Sequence, residues 1–376
     1  MLDLTKINKK GIDNKISSHS VGSITIVSAR PHIAAGLSTQ ARMNGSLDVK
    51  FVDKFLNDII GDEDLASSEY VIIDIEEYRE ISEIEQKIKF LFPVTTKKIF
   101  VGDVDSISFC DEMKRIGATY LHLDSQMMML GEALKKAGDS NEIISYTQKI
   151  SVLGCKGGSG TSLVSLHLFQ AFGELSNLPI LLIQGHTGTP DLDLLSDVSL
   201  HRDGVITQLN AHQGMKIATD EEQWQFDMPD FQSYNIVIFD HNVTTQVRDK
   251  LAYIVPGSDF IFIVVTRELS SVRNARLVID ELDRSSSSQD SAKDMSKNII
   301  VLNENHMTKP DELTNEDIEN YLGKRIDVVN PYVKDLKKDK AKSELYFFAA
   351  KMLGRKSEDD KKVKKGLSLT TIFKRK

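Results

Sequence analysis

Between Ser23 and Asn303 the chain alternates short apolar runs with longer segments in which apolar and charged positions mix. SITIVSA from Ser23, YVIID from Tyr70, KKIFVGD from Lys97 and TYLHLD from Thr119 form a first series. KISVLGC from Lys149, PILLIQG from Pro179, YNIVIFD from Tyr234, DFIFIVVT from Asp259 and NIIVLN from Asn298 form a second. Runs that are apolar nearly throughout are strands buried on both faces, and helix-length segments between them predict parallel sheets covered by helices. SLVSLHLFQAFGEL from Ser162 and SSVRNARLVIDELDR from Ser270 are two of those helices. The fold class is α/β, with two parallel-sheet units in tandem.

The punctuation divides the chain further. Residues 1–22 are polar, carry Gly11 and show no sustained period, which predicts a flexible arm. The first unit spans 23–137. A polar linker, GDSNEIISYTQ at 138–148, follows LGEALKKAG, in which Gly138 is suited to stop a helix. The second unit spans 149–345 and includes a low-complexity loop, SSSSQDSAKD, from Ser285. A basic tail occupies 346–376.

The chain has 376 residues, 40% hydrophobic and 27% charged, enough for two ordinary cores. With 47 Lys and Arg against 55 Asp and Glu, its net charge of -8 repels phosphate backbones on average and argues against a general nucleic-acid coat. Only Cys110 and Cys155 occur, too few for a disulfide framework or a zinc site, as expected of a reducing cytoplasm. The N-terminus lacks the apolar centre of a signal peptide, and no stretch approaches the roughly 20 apolar residues of a membrane span. A cytoplasmic protein is expected.

Candidate chemistry centres on GCKGGSGTS, Gly154 to Ser162, which joins the first strand of the second unit to a helix. A glycine-rich turn there lets backbone N–H groups converge on a polyphosphate at a helix N-terminus. The alternative is a plain strand-to-helix turn; the place after KISVLGC and before an amphipathic helix favours phosphate binding.

These residues resemble the deviant Walker A loop, KGGxGKS or KGGxGKT, of the ParA/MinD group of P-loop ATPases. The resemblance implies ATP and Mg2+ as ligands. It places Gly157, Gly158, Ser159 and Gly160 around the phosphates and Ser162 on the metal. It makes Lys156 the signature lysine that reaches across a homodimer to the partner's phosphates. Thr161 stands where the usual phosphate-loop lysine belongs. A charge-assisted hydrogen bond is worth about 1.5–3 kcal/mol, so the change weakens ATP binding and argues against fast hydrolysis.

Other positions follow or depart from the same pattern. The family's acidic pair after the next strand is replaced by Gln184 and His186, while Asp191 and Asp193 in TPDLDLL match the following segment, with Asp191 the better placed to face the metal. The alternation there fits a loop entering a helix equally well. Asp240, in YNIVIFD, matches the Walker B carboxylate that holds magnesium through water. His241 and Asn242 replace the residues that usually follow it. Asn303 matches an asparagine that contacts adenine, and Pro331 and Tyr332 match a segment lining the base pocket, although Pro331 also suits a simple turn.

From VVTRELSSVRNARLVIDELDR to NPYVKDL the second unit resembles the CpaE/TadZ pilus-assembly branch of that group, whose members carry a receiver-like N-terminal domain. Asp74 then sits at the phosphoacceptor position. Ser28 and Ala29 replace the acidic pair, Gly102 lies near the hydroxyl position and Leu123 near the lysine, so Asp74 reads as an ordinary strand-end carboxylate and the domain as one kept for docking or dimerisation. The tail adds KKVKKGLSLTTIFKRK, with seven Lys or Arg and no acid over 361–376. Leu369, Ile372 and Phe373 share a helical face there, so an anionic membrane surface is a candidate partner, beside a solubilising or protein-contacting tail.

The resemblance implies an ATP-binding, dimerising localisation or assembly factor for a tight-adherence pilus or related secretion machine, placed at the cell pole or inner membrane face, with weak or no hydrolysis. The alternatives are a cycling ATPase that positions DNA or division factors, an output protein controlled at Asp74, and a nucleotide-free scaffold.

Overall fold

The structure is a computed structural model that describes residues 22–59, 65, 67–139, 147–185, 189–219, 226–287, 297–333 and 343–355. The expected arm, most of the linker, His186 and the basic stretch 361–376 lie outside the described residues.

In the first unit the apolar runs form β1 (Ile24–Val27), β3 (Tyr70–Asp74), β4 (Lys97–Gly102) and β5 (Thr119–His122). β2 (Val49–Val52) joins them at the edge, and all strands run parallel in the order β2-β1-β3-β4-β5. This is the doubly wound order of flavodoxin-like sheets. Alternate residues feed two cores: Val71, Ile73 and Phe100 pack on one face, Ile72, Ile99 and Leu121 on the other. Four longer helices cover these faces: α1 (Pro31–Met43), α2 (Ile81–Leu91), α3 (Ile107–Arg115) and, after the single turn α4 (Leu123–Gln126), α5 (Leu130–Asp139). α5 runs one residue past Gly138, so the helix does not stop there as expected.

Among the described residues the second unit has eight strands: β6 (Gln148–Gly154), β7 (Ile180–Gln184), β8 (Thr207–Gln208), β9 (Gln213–Ile217), β10 (Ile236–Asn242), β11 (Phe260–Val265), β12 (Lys297–Asn303) and β13 (Val328–Asn330). Their order is β13-β12-β11-β6-β10-β7-β9-β8, parallel except for the β8 edge. β6 lies between β11 and β10, so the loop leaving it opens at the centre of the sheet's C-terminal rim. α6 (Thr161–Leu175) buries Val164, Leu166, Leu168, Phe169, Phe172 and Leu175, which point in most directions around its axis. A helix so apolar must be covered on several sides.

Part of that cover comes from beyond the expected domain limit. α11 (Glu344–Met352) packs on α6, and Leu345, Ala349, Ala350, Met352 and Leu353 share a core with Ile150 and Val164. The unit therefore extends past 345, and the first ten residues assigned to a basic tail, 346–355, belong to this helix and its end. α7 (Leu192–Ser196), α8 (Val247–Ile254), α9 (Leu269–Ser287) and α10 (Asn315–Leu322) complete the described helices. α10 is bounded by a capping box between Thr314 and Asp317 and by Gly323 at φ 65°, a left-handed position suited to glycine.

A buried asparagine joins the two units. Asn235, just before β10, accepts from Val94 N at 3.0 Å and donates to Phe92 O at 2.7 Å and Lys89 O at 3.3 Å. These partners lie at the end of α2 and the turn into β4, so the contact holds the N-terminal end of the second sheet, opposite the phosphate-loop rim.

Candidate phosphate-loop site

The loop after β6 has the geometry expected of a phosphate cradle. Gly158 and Gly160 take φ values of 79° and 80°, which residues with a Cβ rarely adopt. A Cβ on Gly157 or Gly158 would meet nothing within 4 Å, whereas one on Gly160 would come within 2.2 Å of Asn303 Nδ2. The first two glycines thus border open space and the third borders packed protein. Gly160 precedes α6 as its cap position and provides no side-chain cap, which leaves the first N–H groups of the helix directed at the loop with the helix dipole behind them.

Thr161 does not extend into this space. Its hydroxyl pairs with Ser159 Oγ at 3.0 Å and lies against Gly154, where a Cβ would come within 2.4 Å of it. The loop is braced from behind. Asn303, at the end of β12, donates to Ser159 O at 2.8 Å and accepts from Asn330 Nδ2 at 2.7 Å. Asn274 Nδ2 holds Cys155 O at 3.0 Å. The Asn303 amide is buried and engaged on both sides by protein. Pro331 and Tyr332 follow β13 in exposed positions beside this brace.

Within the chain the Lys156 ammonium pairs with Glu268, which lies just past the end of β11. The Glu268 loop is itself anchored, since Arg267 donates to Glu304 Oε1 at 2.6 Å and to Leu313 O at 2.9 Å. Sequence reasoning missed Glu268, Asn274 and Asn330; Glu268 and Asn330 showed only as polar residues after an apolar run, and Asn274, inside α9, carried no signal.

A second cluster meets the loop at Ser162. Gln184 Nε2 donates to Asp191 Oδ1 at 2.7 Å and lies 3.2 Å from Ser162 Oγ, while Gln184 Oε1 accepts from Leu192 N at 2.9 Å. Asp240 joins them. Its carboxyl is pushed up to about 6, first by burial and further by the Asp191 charge, against hydrogen bonds from Ser162 and Gln184 that pull it down. The structure thus brings Ser162, Asp191 and Asp240 together and makes the uncharged Gln184 the link between the two acids. Asp193 turns away to an ion pair with Arg202.

These residues fit Mg2+. Hydroxyl and carboxylate oxygens are the donors a hard divalent cation takes, and a cation would relieve the charge that burial and Asp191 make costly on Asp240. No group of three or more His, Cys, Asp or Glu able to hold a metal occurs among the described residues. Phosphate oxygens and water would have to complete the shell, as is usual for this ion. His241 takes no part: it faces the opposite core, stacked on Phe239, with Nε2 3.2 Å from Ser151 Oγ. Burial pushes its imidazole down to about 3 and keeps it neutral.

In the first unit, Asp74 ends β3 with both carboxylate oxygens engaged. Oδ2 accepts from Ser28 Oγ at 2.7 Å and Arg30 Nε at 2.9 Å; Oδ1 accepts from Arg30 Nη2 at 2.6 Å and Glu76 N at 3.0 Å. A carboxylate with four donors is a poor nucleophile. Ser28 stands at the expected site as its partner, Leu123 is buried in the core, and Gly102 packs against Glu76 O. Arg30 carried no sequence signal.

No protein-family model matches the chain, and no curated protein does. Among solved structures it is similar to a ParA family ATPase from Chlorobium tepidum TLS, at 17% identity and a TM-score of 0.40, over 56% of this chain and 98% of that one. The MinC:MinD cell division protein complex of Aquifex aeolicus gives 18% and 0.44 over 56% and 97%. The septum site-determining protein MinD complexed with Mg-ADP from Pyrococcus horikoshii OT3 gives 17% and 0.43 over 55% and 94%. These neighbours are P-loop ATPases of the ParA/MinD type.

Proposed function

We propose that the second unit binds ATP with Mg2+ and that the protein is a self-associating assembly or localisation factor that turns ATP over slowly or not at all. The observation that carries this reading is an intact cradle with altered chemistry. Glycine geometry, an uncapped helix and the Ser162, Asp191 and Asp240 oxygens remain, while Thr161 is folded back and Gln184 stands where an acid is expected. When bound, Mg2+ would neutralise phosphate charge beside Ser162 and Asp240. Gln184 orients Asp191 and Ser162 but, as an amide, supplies no base for water.

The order of segments in the second unit supports the finer reading of a tight-adherence pilus or related secretion factor. In that reading ATP favours the homodimer that contains the complete site, and slow turnover lets the assembled state persist. The first unit serves docking or dimerisation, and the basic tail an anionic membrane surface.

The experiment is MgATP binding and turnover on the full chain, with association state followed by sedimentation in the same samples. Binding with dimer formation and negligible turnover is expected. Brisk turnover would replace this reading by a cycling ATPase, and no binding at millimolar ATP would leave a nucleotide-free scaffold. Lys156→Ala is expected to weaken ATP-dependent association; unchanged association would remove the role across the dimer.

A further inference from the structure

Away from the phosphate loop, the densest charged cluster lies at the C-terminal rim of the first sheet. Arg30 follows β1 directly, and Pro31 at the first helical position fixes where α1 begins. Its guanidinium grips both oxygens of Asp74, pairs with Asp103 through Nη1 and lies 3.9 Å from the Glu76 carboxylate. Three carboxylates from the ends of β3 and β4 therefore surround one cation supplied from the end of β1. In the order β2-β1-β3-β4-β5 the strand order reverses at the junction of β1 and β3, which is where ligand crevices open in such sheets.

The Asp74 carboxylate, and the backbone that carries Glu76 and Asp103, are held by contacts that do not involve Arg30. Glu76 sits at φ 53° with its N–H on Asp74 Oδ1, and its carbonyl accepts from Asp103 N at 2.8 Å. Ser28 Oγ adds a hydroxyl at 2.7 Å from Asp74 Oδ2. Asp74 has a side-chain exposure of 1%, so its charge requires a cation close by. The surrounding groups are all hard oxygen donors, suited to a guanidinium or to a divalent metal ion of the Mg2+ or Mn2+ type.

We propose that this crevice is a cation site that the chain fills with its own guanidinium. Arg30 supplies permanently the charge that a divalent ion would supply between Asp74, Asp103 and Glu76, and the first unit is therefore set in one state whatever the metal concentration. This stands apart from the nucleotide reading of the second unit.

The test is Mn2+ titration by electron paramagnetic resonance on the full, nucleotide-free chain, with folding followed by circular dichroism. The wild type and Arg30→Lys, which keeps a cation, should bind Mn2+ alike. Arg30→Ser should gain one equivalent bound at least tenfold more tightly than any Mn2+ on the wild type. The double variant Arg30→Ser with Asp74→Asn should lose it. No gain in Arg30→Ser, or a gain that survives Asp74→Asn, overturns the proposal. If Arg30→Ser is unfolded in chelator, recovery of its dichroism on adding Mn2+ supports the site, and failure to recover overturns it.

Discussion

Thr161 gives the most direct way to test why the phosphate loop is altered. In Thr161→Lys the hydroxyl bond to Ser159 Oγ, 3.0 Å in the native chain, is lost. A neutral hydrogen bond of this kind is worth about 1 kcal/mol net, whereas a charge-assisted one to phosphate is worth about 1.5–3 kcal/mol. The lost hydroxyl bond is absent with and without ligand and tells mainly on how firmly the loop is held, so the new bond, about 1.5–3 kcal/mol, corresponds to roughly 10- to 150-fold tighter binding of a triphosphate. The lysine chain must leave the space beside Gly154, where the threonine packs closely, and the open side of Gly157 and Gly158 receives it without a steric cost. Thr161→Met, similar in length but uncharged, separates the charge from the loss of the hydroxyl. Calorimetry with magnesium and a non-hydrolysable ATP analogue should show Thr161→Lys tighter than wild type and Thr161→Met weaker. Equal or weaker binding by the lysine variant would refute the view that the missing cation limits affinity.

Gly157→Ala and Gly160→Ala should behave differently. The first adds a methyl to empty space and should leave the thermal midpoint unchanged while weakening nucleotide binding; the second, at φ 80° and against Asn303, should lower both, with a backbone cost of about 1–2 kcal/mol. Asp240 sets a pH dependence. Its folded carboxyl near 6 lies above the ordinary 3.8, so the folded chain holds the extra proton, and stability should fall as pH rises from about 4 to 6. The total is about 3 kcal/mol, read from urea midpoints, and should vanish in Asp240→Asn. Binding of Mg-nucleotide should change in the opposite sense, strengthening as pH rises through 6. Asn235→Ala leaves Val94 N, Phe92 O and Lys89 O without their partner and should cost about 2–4 kcal/mol in denaturant unfolding; a cost within experimental error would show that the two units are not joined there.

The strands that reach the centre of either sheet were legible because burial on both faces leaves an unbroken apolar run, as in YNIVIFD and DFIFIVVT. At the margins β5 and β12 showed as TYLHLD and NIIVLN, but β2, β8, β9 and β13 did not. VKFV exposes Lys50 and Phe51 at the rim of the first sheet, QGMKI carries a buried lysine, and VVN is too short to show a period. α11 was missed although ELYFFAAKM is strongly apolar, because the basic residues that follow it dominated the reading of the C-terminal region. Within the site, the replaced motif positions Thr161 and Gln184 could be identified by their spacing. Their partners could not, since Lys156 and Glu268 are separated by 112 positions and Asn303 and Ser159 by 144. Which polar groups meet is fixed by strand order and register, and an apolar run carries neither.

α11 gives the end of the described chain a mechanical connection to the phosphate loop. It lies along α6, the helix that begins at Thr161, and Glu344 at its start accepts from Val329 N of β13 at 2.8 Å. One residue further along β13, Asn330 holds Asn303, which in turn holds Ser159 O. A displacement applied beyond Arg355 would therefore be transmitted as through a short lever, by one route to the start of the helix behind the cradle and by the other to the turn of the cradle itself. Binding of a partner at the C-terminal end could in this way adjust how firmly the chain holds phosphate without contacting the crevice.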